Sequence, residues 1–275
     1  MKKILYTIIS YLAPIMPRRA PPKLQPGKTL TGYGRVNYWA SKGKGTLRKD
    51  VVACAAAGVG CYTIEMGGWA ETSAYRLVFG SDKRLEETIK LYGWLVDQCR
   101  VLGLWLHVSI VNDNMGSGKY GDARVSLENG WDDAVKLLQC VRENGPKNVL
   151  AQPVGETQTS AGSRFEALAC AELRDFDTVN NHGSRPWGSA GMKYFAWHPF
   201  SIGDVAGAPR EALIVSDTGK IIIEIGGSLD GAANPGQIKK YIGTCKARGC
   251  LGAIYYAFLR QDHDAAAIKA IGQAG

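Results

Sequence analysis

The chain has 275 residues, 45% of them apolar and 21% charged, so it can bury one large core, and no composition shift after the first ~30 residues indicates a second domain. Six basic residues of the formal +8 charge lie before residue 29, where there is no acid, which leaves only about +2 for the rest of the chain. Since the sequence also lacks a Walker-type loop and a cluster of aromatic and basic side chains, nucleic acid is not expected as a partner.

Residues 1–28 form a basic and apolar leader, whereas residues 29–275 are predicted to form one catalytic domain. The apolar stretch Ile4 to Met16 follows two lysines, as in a signal peptide, but no small-x-small cleavage site follows it. The stretch is too short to span a bilayer comfortably. The leader could be a signal, a membrane anchor or a disordered segment, so a secreted, a membrane-tethered and a cytoplasmic protein all remain open.

Short apolar, β-rich runs alternate with amphipathic stretches from Leu30 onward, which predicts a parallel α/β fold. The runs number eight, which closes a (β/α)₈ TIM barrel. An open, doubly wound sheet is the alternative, but its glycine-rich turn after the first strand is missing. The predicted strands are Tyr33 to Tyr38, Val59 to Met66, Leu104 to Val111, Val149 to Val154, Thr178 to Asn181, Tyr194 to His198, Ile221 to Ile225, and Ala253 to Phe258.

Capping residues mark several of the intervening helices. The pattern predicts a helix capped by Thr46 and ending at Gly58, a helix over 82–102, a capping box of Ser163 and Glu166 ahead of Ala167 to Leu173, and a helix that Asn234-Pro235 opens and Gly249 closes. Between the sixth and seventh strands, Pro209 to Ser216 leaves room for barely two helical turns.

The seven cysteines are odd in number and mostly occupy apolar positions, which favours buried free thiols. No Cys/His grouping has metal-ligand spacing. The sequence therefore predicts neither a metal nor a cofactor.

Active sites of such barrels lie at the C-terminal ends of the strands, so polar and aromatic residues there are the candidates. Carboxylates and aromatic rings dominate this set, which suits a sugar better than a phosphate. The candidates in chain order are Asn37, Trp39, Glu65, Trp69, Asn112, Glu156, Asn181, His198, Glu224 and Tyr256. His107 lies inside the third strand among apolar neighbours and is expected to be an interior, hydrogen-bonded histidine.

Two glutamates stand out because Glu156 directly follows the fourth strand and Glu224 lies in the seventh, within Lys-Ile-Ile-Ile-Glu-Ile-Gly. With Phe-Ala-Trp-His-Pro-Phe in the sixth strand and Gly-Ala-Ile-Tyr-Tyr in the eighth, the chain resembles clan A glycoside hydrolases, the cellulase-like and β-glycosidase barrels. The resemblance implies retaining cleavage of a β-linked oligo- or polysaccharide, with Glu156 as acid/base and Glu224 as nucleophile. It leaves the other eight candidates as substrate-binding residues.

Gly155 precedes Glu156 where that family usually has an asparagine that holds the sugar 2-hydroxyl. A second hypothesis is therefore a glycan-binding barrel that has lost catalysis. A third is a lyase or isomerase acting on a phosphorylated metabolite, for which Gly226-Gly227-Ser228 would be the phosphate-gripping loop.

Overall fold

The computed structural model describes residues 2–12, 16–24, 28–35, 43–67, 82–113, 127–155, 157, 159–181, 192–197, 221–226, 235–256 and 265–275. Eight strands and seven helices lie in these ranges. The strands are β1 (Leu30–Arg35), β2 (Cys61–Glu65), β3 (Trp105–Asn112), β4 (Val149–Gly155), β5 (Asp177–Asn181), β6 (Tyr194–Trp197), β7 (Ile221–Gly226) and β8 (Gly252–Tyr256). The helices are α1 (Lys2–Tyr11), α2 (Gly43–Ala57), α3 (Asp82–Leu102), α4 (Trp131–Asn144), α5 (Ser160–Glu172), α6 (Pro235–Ala247) and α7 (Ala265–Ala274).

Every strand pairs in parallel with the next along the chain, and β8 pairs with β1, so the hydrogen-bonded order closes on itself. The predicted parallel α/β fold is thereby confirmed. The stretches between β5 and β6 and between β6 and β7 lie largely outside the described residues, as does Pro209 to Ser216. Eight complete strand–helix units therefore remain a prediction.

The first strand was predicted three residues too late, since β1 begins at Leu30. Its glycines are required by close neighbours rather than by a turn. A Cβ at Gly34 would lie 2.0 Å from the backbone oxygen of Thr63, and one at Gly32 would lie 2.9 Å from Ile254. The sheet can close between β8 and β2 because β1 carries no side chain at these two positions.

Two of the predicted helix ends agree with the structure and two predicted starts do not. Thr46 was wrong as a cap, because α2 already begins at Gly43. The helix over 82–102 is confirmed as α3, and α2 ends next to Gly58, whose φ of +83° suits glycine. The capping box at Ser163 was wrong, because α5 begins at Ser160. Its N-cap is Thr159, whose side chain accepts a hydrogen bond from the Gly162 backbone N–H.

Two apolar layers sit on either side of the strands. The larger lies between strands and helices and includes Tyr62, Leu95 and Phe165. The smaller fills the N-terminal part of the barrel interior and is called here the interior cluster: Leu30, Cys61, Trp105, Leu150, Val179, Tyr194, Leu251 and Ile254. Side chains of one strand alternate between the two layers, as the pleat requires.

A buried ion pair ties α2 to β1. The Nε of Arg35 donates to Oδ2 of Asp50 at 2.5 Å, and the hydroxyl of Tyr62 donates to the same oxygen at 3.1 Å. Arg35 and Asp50 are only 1% and 0% exposed, so each charge depends on its partner.

The cysteine prediction is confirmed, since all seven thiols are free. Cys170 is half-buried and the other six are buried. Burial raises the pKa of the Cys54 and Cys99 thiols well above the ordinary value, which keeps them protonated and unreactive.

The described part of residues 1–28 packs onto the barrel. Residues 16–24 run along the N-terminal ends of the strands, where the backbone N–H of Arg19 donates to Arg100 at 2.7 Å and the indole N–H of Trp105 donates to the Pro22 carbonyl at 2.6 Å. None of the helices in the described ranges is long and apolar enough to cross a membrane.

Candidate active site

The C-terminal ends of the parallel strands meet at one rim, and five of the candidate residues lie on described strands there. Glu65 ends β2 and Asn112 ends β3, and their side chains are only 5% and 6% exposed. Asn181 and Tyr256 are the last residues of β5 and β8, and Glu224 lies two residues before the end of β7. The other candidates, Asn37, Trp39, Trp69, Glu156 and His198, lie outside the described residues.

The register brings the polar ends of β2, β3 and β4 together. Glu65 is aligned with Ser109 of β3, and Ser109 is aligned with Gln152 of β4. All three side chains are buried, at 5%, 6% and 2% exposure. This part of the barrel interior is therefore polar, in contrast to the interior cluster nearer the N-terminal ends.

Gly155, the last residue of β4, is aligned with Asn112 and is closely packed. A Cβ at this position would lie 3.0 Å from Oγ of Ser109 and 3.5 Å from Nδ2 of Asn112. The space that a side chain at 155 would need is thus taken by two polar groups of β3. An amide already lies beside Gly155, but it comes from the neighbouring strand.

His107 is an interior residue, as predicted. Its Nδ1 lies 2.6 Å from Oγ1 of Thr63, and its Nε2 lies 3.1 Å from Oε1 of Gln152. Burial lowers the pKa of His107 to about 4, although the hydrogen bond with Gln152 opposes the shift. The imidazole is therefore neutral at pH 7, with Nε2–H donating to Gln152 and Nδ1 accepting from Thr63.

Asp113 holds the segment that follows β4 rather than extending into the barrel mouth. Its carboxylate accepts hydrogen bonds from the Thr159 backbone N–H at 2.5 Å and from the Thr159 hydroxyl at 2.6 Å. Its own N–H donates to the Gly155 carbonyl at 3.2 Å. The end of β3 thereby fixes both the end of β4 and the start of α5.

Glu166 of α5 is a second buried carboxylate near this segment. Its Oε1 accepts from Nδ2 of Asn180 at 3.0 Å, and its Oε2 accepts from the Thr157 hydroxyl at 3.4 Å. Thr157 directly follows Glu156 in the chain. Residues on both sides of Glu156 are therefore held by the barrel and α5.

Glu224 lies in register with residues of the interior cluster. It is aligned with Ile254 of β8, Ile254 is aligned with Gly32, and Gly32 is aligned with Cys61. Ile254 and Cys61 both belong to the interior cluster.

Sequence reasoning missed Ser109, Gln152 and the positioning role of Glu166. Ser109 and Gln152 alternate with apolar residues on their strands, and that alternation was a usable signal. Glu166 gave a misleading signal, because its spacing from Ser163 imitated a capping box. In the described part of the chain no three His, Cys, Asp or Glu side chains are grouped to hold a metal, and Gly227 and Ser228 of the candidate phosphate loop lie outside it.

Comparison with solved structures agrees with the fold. A glycoside hydrolase family 5 protein from Bacteroides vulgatus aligns with a TM-score of 0.60 at 8% identity, over 83% of this chain and 58% of its own. The chain shares its fold with glycoside hydrolases. An endo-β-1,4-mannanase from Thermotoga petrophila aligns with a TM-score of 0.58 at 10% identity, over 90% of this chain and 76% of its own. An endo-1,4-β-mannanase from Rhizomucor miehei aligns with a TM-score of 0.56 at 12% identity, over 94% of this chain and 98% of its own.

The chain spans less than two thirds of the Bacteroides protein and 65% of another glycoside hydrolase, which aligns at a TM-score of 0.60. No protein-family model and no curated protein sequence matches the chain.

Proposed function

We propose that this protein is a glycoside hydrolase that cleaves a β-linked oligo- or polysaccharide with retention of configuration, using Glu156 and Glu224. The observation that carries the proposal is the strand order. Glu156 directly follows β4 in the sequence, Glu224 lies near the end of β7, and the C-terminal ends of β4 and β7 share one rim of a closed, parallel strand order, which supports pairing the two glutamates. A complete (β/α)₈ barrel from residue 29 onward, without metal or cofactor, is part of the proposal.

The mechanism assigns different protonation states to the two glutamates. Glu156, protonated, donates its proton to the glycosidic oxygen, while ionised Glu224 attacks the anomeric carbon and the bond to the leaving group breaks. Glu156, now ionised, removes a proton from water, which displaces Glu224 from the glycosyl-enzyme. Retention requires the two carboxyl groups to lie about 5–5.5 Å apart, and at that distance the charge of one raises the pKa of the other.

The contacts around the end of β4 support the assignment of Glu156. An acid/base must be held in one place to act on the leaving oxygen. Hydrogen bonds from Thr157 to Glu166 and from Thr159 to Asp113 restrain the chain just after it, and Gly155 is packed against β3 just before it.

The substrate proposed is a β-linked glycan because two of the similar structures are endo-β-1,4-mannanases. Buried Glu65 and Asn112 would hydrogen-bond sugar hydroxyls from β2 and β3, and Tyr256 would contact the sugar from β8. The remaining candidate contacts are Asn37, Trp39, Trp69, Asn181 and His198.

A catalytically inactive, glycan-binding barrel is the second candidate, and the packing of Gly155 favours it. If the 2-hydroxyl contact must come from the residue before the acid/base, Ser109 and Asn112 leave no room for it. If Asn112 supplies an equivalent amide from β3, the hydrolase remains the better reading.

The deciding experiment measures hydrolysis of aryl β-glycosides, β-mannan and β-glucan by the wild type, Glu156→Gln and Glu224→Gln, with the product anomer followed by NMR. The proposal predicts a β-anomer as first product and a loss of at least 10³-fold in kcat for Glu224→Gln. Azide added to Glu224→Ala should attack the anomeric carbon of an aryl β-glycoside, expel the aryloxide and yield the α-glycosyl azide.

Glu143→Gln, at an exposed position of α4, is the matched control and should retain full activity. An α-anomer as first product would contradict the retaining mechanism. Glycan binding without hydrolysis by any variant would establish the inactive barrel instead.

A further inference from the structure

One face of α1, together with Leu12 directly after it, is an exposed apolar surface. Ile4, Leu5, Ile8, Tyr11 and Leu12, called here the apolar stripe, are between 43% and 68% exposed. They recur at the three- and four-residue spacing that places side chains on one side of a helix. Within the described ranges, the large apolar side chains that are exposed all belong to this stripe.

The opposite face fixes α1 to the protein. Ile9 and Ser10 are 4% and 1% exposed, and the Ser10 hydroxyl donates to Oε1 of Gln98 in α3. Arg18, just after the helix, forms an ion pair with Asp97 of α3 at 3.2 Å. The opposite face therefore holds α1 in place, while the side chains of the apolar stripe stay largely at the surface.

Positive charge lies beside the stripe. Lys2 and Lys3 belong to α1, whose ten residues include no acid. The guanidinium of Arg48 lies 4.0 Å from the ring centroid of Tyr11, and Lys44 and Lys49 of the same helix are exposed. The acid of α2, Asp50, is buried against Arg35 and does not offset this charge.

We propose that α1 binds the surface of an anionic phospholipid bilayer, with the apolar stripe in the headgroup region and the surrounding cations on the lipid phosphates. A ten-residue helix is about 15 Å long, so it lies along the membrane surface rather than across it. An apolar face combined with basic residues is the pair of signals that reversible surface binding needs. The alternative occupant, a second copy of the chain, would bring two acid-free basic leaders together.

The test is sedimentation of the full chain with vesicles of phosphatidylcholine alone or with 30% phosphatidylglycerol, at low and high salt. Binding is expected to the anionic vesicles and to weaken in 0.5 M NaCl because salt screens the charges. Leu5→Gln/Ile8→Gln should lower the affinity at least tenfold. Lys3→Gln/Lys44→Gln should lower it about 25-fold, since each lysine near such a surface contributes about fivefold.

The matched control is Lys239→Gln/Lys240→Gln, which removes two exposed lysines of α6 and should bind like the wild type. Thermal unfolding of each variant checks that the fold is retained. Equal binding to neutral and anionic vesicles, or an equal loss in the α6 control, would overturn the proposal. The proposal would also be overturned if the chain formed a concentration-dependent dimer and Leu5→Gln/Ile8→Gln bound vesicles as well as the wild type. No sugar is present in the assay, so its outcome is independent of glycosidase activity.

Discussion

Replacing Gly162 with alanine should destabilise the protein, although alanine is the better helix former, because the new methyl group would collide with Asp113. A Cβ at Gly162 would lie 2.2 Å from Oδ2 and 3.1 Å from Oδ1 of that carboxylate. The carboxylate would have to withdraw, which would break its two hydrogen bonds from Thr159.

The size of the effect follows from these contacts. A hydrogen bond to a charged group contributes about 1.5–3 kcal/mol, so two contribute about 3–6 kcal/mol. Replacing glycine by alanine in a helix stabilises the helix by at most about 1 kcal/mol. The free energy of unfolding of Gly162→Ala should therefore fall by about 2–5 kcal/mol.

Urea unfolding of a double-mutant cycle isolates the cause. In the Asp113→Ala background the obstacle is gone, so adding Gly162→Ala should change the free energy of unfolding by less than about 1 kcal/mol, in the stabilising direction. Gly243→Ala in α6, where a Cβ meets no atom within 4 Å, is the control and should stabilise by up to about 1 kcal/mol. An equal loss with and without Asp113 would refute the reasoning.

Three further perturbations test other parts of the barrel. Stability should fall by about 3 kcal/mol as the pH drops from 6.5 to 4. Over this range the unfolded chain protonates His107, whereas burial lowers the pKa of the native imidazole to about 4 and delays its protonation until that pH. His107→Gln should remove this component from urea titrations across the range. Arg35→Met should lower the unfolding free energy by about 3–5 kcal/mol by leaving Asp50 buried and unpaired, and Arg35→Met/Asp50→Leu should recover part of the loss in the same assay. Gly155→Asn should lower the melting temperature because its Cβ meets Oγ of Ser109 at 3.0 Å, and Ser109→Ala should relieve the loss.

The alternation of apolar runs predicted the strand order because each run carried its own hydrophobic signal, independent of its neighbours. It placed the start of β1 three residues too late, because Gly32 resembles a turn residue in the sequence. The role of Gly32 becomes visible only once Ile254 lies beside it. A single sequence does not distinguish a glycine that is required by a close neighbouring strand from a glycine that is required by a turn.

The candidate site shows the same limit. Strand ends pointed to Glu65 and Asn112, which are indeed buried at the ends of adjacent strands. The residues that hold the segment after β4 could not be found in this way, because Glu166 lies on a helix and reaches Asn180 and Thr157 only through tertiary packing. Whether Glu156 and Glu224 form a pair stays a prediction.

The distribution of buried polar groups gives the strongest physical reason to place the site at this rim. The N-terminal part of the interior is filled by Leu30, Leu150 and other apolar side chains, which is enough to stabilise the barrel. Toward the other end the interior instead buries Glu65, Gln152 and His107. Apolar side chains of similar volume would fill this space at no desolvation cost, so stability alone does not account for the choice. Polar groups held at the C-terminal ends of strands are what the proposed hydrolase would need to orient a hydroxylated substrate, and β4 and β7, the strands that precede Glu156 and contain Glu224, end at this rim.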